Sequence, residues 1–256
     1  MSYATGAPPQ QLQELERLLE LRTAEAQEAR RELDDFTYSV SHDLRAPMRH
    51  INGYSKIILE DFADKLDPQC LHFFENLQES ASKMAKMLED LTKYSRIGRQ
   101  DIVRQNVSLI DLVQDVIKVL TEEAAPRKIQ WNIGPLPLVS CDVSMVKQLF
   151  LHLLNNAAKF TRPREAAVIE VGAMDDNAGQ TFFIRDNGIG FDMKHTDRLF
   201  GMFQRFHSQQ DYEGIGSGLA IAKRIVKKHG GRIWAEAAVD QGASFYFTLT
   251  EQPQGH

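Results

Sequence analysis

Ser41-His42-Asp43-Leu44-Arg45-Ala46-Pro47 lies inside the longest periodic segment of the chain, and its reading decides the architecture. Upstream, Leu12, Leu15, Leu19, Arg22, Ala26, Ala29, Leu33, Phe36 and Val40 recur in alternating steps of three and four. Only Arg22 interrupts the apolar or small character of that seam. Such a pattern predicts a coiled coil, because the seam buries nothing until another helix faces it. Downstream it continues through Leu44, Met48, Ile51, Ser55, Ile58 and Phe62. The steps of four from 36 to 40 to 44 form a stutter, which unwinds a coiled coil locally, and Pro47 favours a bend there. His42 lies two residues from both Val40 and Leu44, about 200° of helical rotation from each. Its imidazole is therefore expected to face solvent.

The segment ADKLDP, residues 63 to 68, reads as a helix-to-helix connection, with Asp67 as N-cap and Pro68 as first residue of the next helix. Phe74, Leu77, Ala81, Met84, Leu88, Leu91 and Ser95 mark the buried side of that second helix. Two seamed helices joined by a short loop predict an antiparallel hairpin, and two hairpins predict a dimeric four-helix bundle. Past Gly98 the pattern changes. Helices are expected at 108–124, 143–160 and 217–229, with strands at 128–133, 136–140, 167–171 and 180–185 and two more in the closing GRIWAEA and ASFYFTL. The turn-prone DDNAG separates the middle pair of strands. The fold class is α+β: an N-terminal coiled coil and helical hairpin, followed by an α/β sandwich. The expected divisions are a flexible 1–10, a coiled coil at 11–35, the hairpin at 36–98 and the sandwich domain at 99–252.

The chain has 256 residues, 43% hydrophobic and 25% charged, which excludes wholesale disorder. Thirty Lys and Arg against 35 Asp and Glu leave a net charge of −5, so nucleic acid is not expected as a main partner. Cys70 and Cys141 fit no metal or redox spacing. No stretch approaches the roughly 18 to 20 apolar residues of a membrane span, and no signal peptide is evident. A soluble, cytoplasmic chain without membrane insertion is the expectation.

Four short constellations carry chemistry. His42 offers a nucleophilic ring nitrogen near neutral pH, and the adjacent Asp43 could hold the proton of the other nitrogen and fix the tautomer. Asn156 and Lys159, three apart on one helical face, pair a neutral oxygen ligand with a cation, which suits a magnesium triphosphate. Asp186 precedes Gly188 and Gly190 at a strand end, where a carboxylate can accept from an exocyclic amine and glycines admit a ligand close to backbone. Gly214, Gly216 and Gly218 run into a helix, where exposed amides favour phosphate. Taken singly these are a solvated histidine, a polar helix face, a tight turn and a common glycine spacing.

Together and in this order they are specific. The chain resembles the catalytic core of the sensor histidine kinases of two-component systems, notably those attached to phytochrome-like soluble sensors. SHDLRAP is similar to the histidine box, LLNNAAKF to the asparagine box, DNGIG and GIGSGLA to the two glycine boxes, and LFGMFQRF (199–206) to the phenylalanine motif. The resemblance implies a Bergerat-type ATP-binding domain, a homodimer, ATP and Mg²⁺ as cofactors, and a response regulator receiver domain as partner. An upstream sensor domain or partner would supply the input. It implies His42 as phosphoacceptor with Asp43 as its base or orienting partner, Asn156 as Mg²⁺ ligand, and Lys159 on the phosphates. Asp186 would read the adenine amine, with Gly188 and Gly190 shaping its pocket. Gly214, Gly216 and Gly218 would form the lid, and Arg205 would steady the transferred charge. Phe203 and Phe206 are expected to pack that lid. Two positions depart from the family pattern. His152 replaces the usual Asn or acid one turn before Asn156, and Ala46 replaces the Thr or Asn thought to place water for regulator dephosphorylation. The alternatives are a non-catalytic pseudokinase scaffold, which His152 alone suggests, and an ATPase of the gyrase, chaperone or mismatch-repair type, which lacks the histidine-bearing hairpin.

Overall fold

The computed structural model describes residues 9–123, 127–176, 179–206 and 212–249. Residues 1–8 of the expected flexible N-terminus and the centre of DDNAG lie outside them. The first helix, α1, runs unbroken over Pro9–Asp61, straight through Pro47, whose missing amide leaves only the exposed carbonyl of Asp43 without its usual helical donor. A single 3-10 turn at Ala63–Lys65 leads into α2, Pro68–Arg99. Asp67 caps α2 as expected, accepting from the Cys70 amide at 2.8 Å, with Pro68 as its first residue.

The hairpin closes on a row that coincides with the apolar seam only at Met48 and Ser55. On α1 the buried residues are Asp34, Ser41, Met48 and Ser55, spaced by sevens; on α2 they are Ala81, Ser95 and Ile97, the last in the core of the following domain. The two serines of the α1 row are satisfied locally, Ser41 and Ser55 turning their hydroxyls back onto the carbonyls of Thr37 and Ile51, at 2.6 and 2.7 Å. Cross-helix bonds fix the register: Arg45 to Thr92 at 3.1 Å, Arg99 to Asp35 at 3.2 Å, and Ser95 to the carbonyl of Asp34 at 2.6 Å. Of the seam, Met48 and Ser55 are inside the hairpin. Leu33 and Phe36 remain 64% and 67% exposed, and Val40, Leu44 and Ile51 are exposed with them. The hairpin leaves that stripe uncovered.

Strand β1 (Gln105–Ser108) pairs antiparallel with β3 (Leu138–Cys141) in a two-stranded sheet. It is absent from the sequence expectation, which starts a helix at 108; Ser108 ends β1 and its hydroxyl also accepts from the Asp111 amide at 3.5 Å, at the head of the next helix. The main sheet has the order β2-β4-β5-β7-β6, built from Ile129–Ile133 (β2), Ala167–Asp176 (β4), Gly179–Asp186 (β5), Ile233–Ala237 (β6) and Ala243–Phe247 (β7). Only β2 and β4 run parallel; the other neighbours are antiparallel. Three helices pack on one face: α3 (Leu109–Glu123), α4 (Val143–Phe160) and α6 (Gly218–Lys228); the short α5 spans Thr196–Leu199. Leu149, Phe150 and Leu153 of α4 meet Ile169, Phe182, Ile184 and Phe247 of the sheet in one core, with the Phe150 and Phe247 rings 5.7 Å apart.

The two halves join along α6. Arg224, 7% exposed, forms an ion pair with the Asp34 carboxylate, and its guanidinium carbon lies 4.8 Å from the Tyr94 ring centre. Gly98 makes room for it, since a Cβ there would stand 1.7 Å from the Arg224 Nη2. Lys228 donates to the Gly98 carbonyl at 2.9 Å, and the Ser217 hydroxyl donates to the Asp90 carboxylate. His229 ties the far end of α6 to the small sheet's exit. Its Nδ1 bonds the Ile225 carbonyl at 2.8 Å and its Nε2 accepts from the Asp142 amide at 3.1 Å, which requires the neutral Nδ1–H tautomer. Burial, the largest influence, pushes its pKa down, in keeping with that form.

Asp34→Ala leaves a buried guanidinium without its counter-ion and is expected to loosen the join by about 3 kcal/mol. Amide exchange in α6 should accelerate, and Asp34→Ala combined with Arg224→Met should recover part of the protection. Equal exchange in the original and the Asp34→Ala chain would show that the pair does not hold the halves.

Candidate functional site

Helix α4 positions most of the candidate residues. Asp142 starts it, accepting from the Met145 amide at 3.1 Å and the Ser144 hydroxyl at 2.8 Å. Its last carbonyls are satisfied by Thr161, which donates to Ala157 at 2.8 Å, and by Arg127, which donates to Ala158 at 2.8 Å and to Thr161. With the apolar stripe in the core, Asn156 and Lys159 are left half-buried on the remaining face. Lys159 donates to the Glu213 carbonyl at 3.3 Å, and its Nζ is 3.6 Å from where a Gly214 side chain would begin. Burial pushes its pKa down to about 8, Arg205 and Arg162 push the same way, and Glu213 opposes them. Three cations crowd one spot.

Asp186 ends β5 and is 5% exposed. Its carboxylate accepts from the Gly188 amide at 2.8 Å, yet burial dominates and raises its pKa to about 6. The Asp186–Gly190 loop is braced from several sides. The Ile189 amide bonds the Phe160 carbonyl at the end of α4, at 3.2 Å. The Asn187 side chain bonds Val168 and Ala166 at 3.0 and 2.8 Å. Gly190 takes φ +58° against the β6–β7 turn, where a Cβ would stand 2.0 Å from the Ala238 carbonyl oxygen.

The glycine segment crosses the other side of α4. Gly214 and Gly216 both have positive φ, and a Cβ at Gly216 would collide with the Gln204 carbonyl at 2.2 Å. Arg205 braces this segment, donating to the carbonyls of Gly214 and Tyr212 at 2.8 and 2.6 Å. Phe206 packs on Phe191 with rings 5.9 Å apart, whereas Phe203 sits at φ +61°. His152 lies under the start of α6, its Nδ1 3.1 Å from a Cβ placed at Gly218, with Asp90 and Lys93 of α2 nearby. Burial lowers its pKa more than Asp90 raises it, so it sits as a neutral packing residue where the halves meet.

Asn156, Lys159, Asp186, Gly188, Gly190, Arg205, Gly214, Gly216 and Gly218 are thus gathered around α4. His42 and Asp43 stand apart on the hairpin. The His42 side chain is 63% exposed, with Asp43 Oδ1 3.2 Å from its Nδ1 and the Tyr38 ring stacked at 6.4 Å. Arg99 in turn covers Tyr38, 4.1 Å from its ring centre. Sequence reasoning missed Arg164, Glu213 and the Asp90–Ser217 contact. Each acts through residues distant in the chain, and no local spacing announces it.

Residues 32–100 match the His Kinase A (phospho-acceptor) domain, and residues 141–253 match the Histidine kinase-, DNA gyrase B-, and HSP90-like ATPase family. Cyanobacterial phytochrome B of Nostoc sp. (strain PCC 7120 / SAG 25.82 / UTEX 2576) is 35% identical over 94% of this chain and 32% of its own length. Sensor protein kinase WalK of Staphylococcus aureus is 30% identical over 88% of this chain and 55% of that protein. The crystal structure of full-length ShkA in complex with AMPPNP superposes with a TM-score of 0.60 at 25% identity, over 83% of this chain and 45% of that one. Side by side, the two matched domains are those of a sensor histidine kinase catalytic core. The chain spans about a third of the phytochrome relatives it matches. Among the described residues, no helix is long and apolar enough to cross a membrane.

The raised pKa of Asp186 has a sign. Because the folded value, about 6, exceeds the ordinary 3.8, the folded protein binds this proton more tightly, and stability is lost as pH rises through that interval. Asp186→Asn keeps an acceptor for Gly188 without the buried charge. It should melt higher than the original at pH 7, and the two should converge below about pH 4. An equal difference at both pH values would contradict the assignment.

Proposed function

We propose that this chain transfers the γ-phosphoryl group of ATP to His42 and passes it on to an aspartate of a response regulator receiver domain. The observation that carries the reading is the gathering around α4 of a buried carboxylate, Asp186, at one end and the crowded cations Lys159, Arg162 and Arg205 at the other. A ligand with an amine at one end and a polyphosphate at the other answers both. Asp186 would accept from the adenine amine, and Lys159 would regain a full counter-charge. Arg205 would steady the phosphoryl group being transferred, and the Gly214–Gly218 segment would fold over the phosphates.

Among the described residues no cluster of His, Cys, Asp and Glu could hold a metal by itself. The donor set fits Mg²⁺ arriving with the triphosphate, since that ion takes few protein ligands, and Asn156 would be the neutral one. The ion would neutralise charge on the phosphates. Asp43, at Nδ1 of His42, holds that proton and leaves the Nε2 lone pair for attack on the γ-phosphorus. The new N–P bond forms as the bond to the β-phosphate oxygen breaks, and its electron pair leaves with ADP. The uncovered stripe of Leu33, Phe36, Val40, Leu44 and Ile51 is covered by a second copy, which makes the working unit a homodimer with a four-helix core.

With labelled ATP, the unmodified chain should take up acid-labile phosphate. His42→Ala should bind ATP normally and take up none, whereas Asp186→Ala should barely bind. Phosphorylated His42→Ala would overturn the assignment.

Ala46, exposed one turn beyond His42, offers only a methyl group where positioning a water needs a polar one. The chain is accordingly biased toward kinase activity. Decay of a phosphorylated regulator, with ADP removed, should be little faster with this protein than alone, and Ala46→Thr should speed it without changing autophosphorylation. Strong phosphatase activity in the unmodified chain would show that another group places the water.

A further inference from the structure

Arg164, in the loop between α4 and β4, has a placement that the four motifs do not explain. Its Nε donates to the Asn187 carbonyl at 2.9 Å, and its Nη2 donates to the carbonyls of Gly188 and Asp240, at 2.9 and 2.8 Å. The Asp240 carboxylate lies 3.5 Å from the same Nη2. Asp240 itself belongs to the β6–β7 turn, holds φ +62°, and donates its amide to the Ile189 carbonyl at 2.7 Å. One planar guanidinium therefore bridges two segments that are some fifty residues apart in sequence. Asn187 and Gly188 directly follow Asp186, and the Gly188 amide, together with that of Ala243, holds the Asp186 carboxylate.

Three carbonyls around one cation make a demanding site. Lysine has no rigid fork and cannot reproduce those directions, and an apolar side chain would leave the carbonyls without a donor. The bracing has a geometric consequence. The 186–190 loop is held from β4 by Asn187, from α4 by Phe160, and from the β6–β7 turn by Arg164, by the Asp240 amide, and by the close approaches at Gly190 and Gly242. We propose that Arg164 is a positioning residue for adenine recognition, fixing the Asp186 carboxylate through the Asn187–Gly188 backbone and coupling it to the 238–242 turn. This rests on the reading of the site as one for ATP.

The test is calorimetric titration of ATP and ADP, with Mg²⁺, into the full chain and into Arg164→Lys and Arg164→Met. Both variants should lose affinity about tenfold or more, equally for ATP and ADP, because the loop serves the end the two ligands share. The rate of His42 phosphorylation at saturating ATP should stay within about twofold, a change in KM without one in kcat. Unchanged affinity would overturn the proposal. A loss falling on ATP rather than ADP would also overturn it, by placing Arg164 on the terminal phosphate. So would a large fall in the melting temperature of the nucleotide-free variants that accounts for the weaker binding. Should neither variant fold, amide exchange of the unmodified chain reads the same link: ADP should slow exchange in the 238–242 turn as well as at 187–190. Protection confined to 187–190 would overturn it. An original chain that binds no nucleotide would instead refute the ATP reading itself.

Discussion

The buried pairing of Asp34 with Arg224 sets how the halves of this molecule meet, and much of the remaining architecture depends on it. Taking two charges out of water costs more than their attraction repays unless the surrounding hydrogen bonds are complete. Here they are incomplete, because the Arg224 Nε is buried without a hydrogen-bond partner. The pair is better understood as fixing one arrangement than as adding stability. It lays α6 along α2, with Tyr94 under the guanidinium and Gly98 cleared of any side chain. The same docking brings Ser217 to Asp90 and His152 under Gly218, so the glycine segment starts from a helix clasped at several points by the hairpin.

Inside the sandwich domain, burial works on two groups in opposite directions. It raises Asp186 toward 6 and lowers Lys159 toward 8, so each charged form is penalised in the folded chain. The framework accepts that penalty because the backbone around both groups is held tightly. The Gly188 amide, Phe160 carbonyl and Arg164 constrain one end, and Arg205 and Glu213 surround the other. Such strained electrostatics are typical of sites shaped for a ligand rather than for stability.

Much of this was legible in the sequence, because periodicity and capping are local. Helix α4 occupies Val143–Phe160, the span its apolar stripe predicts, and Asp67 caps α2 where its pairing with Pro68 places it. The outward direction of His42 comes from helical geometry alone. What failed is non-local. Periodicity shows that Leu33, Phe36 and Val40 share a face, yet the hairpin closes there on Asp34 and Ser41, one position away, and meets the seam again only at Met48 and Ser55. Strand β1 has only four residues and no alternating pattern, so nothing but its pairing with β3 defines it. Nothing local sets Arg164, Asp34 and Arg224 apart from the charges beside them, Glu165, Asp35 and Lys223, and only the tertiary fold gives them their partners.

On the proposed reading, the nucleotide chemistry ends at the exposed imidazole of His42. Phosphorus NMR of the native chain after incubation with ATP and Mg²⁺, with the labelled residue located by tandem mass spectrometry, tests it most directly. A single phosphoramidate resonance on the Nε2 of His42, lost in acid and kept in base, is expected. A phosphate ester on Ser or Thr, a phosphoimidazole on another histidine, or Nδ1 as the bonded atom of His42 would contradict it.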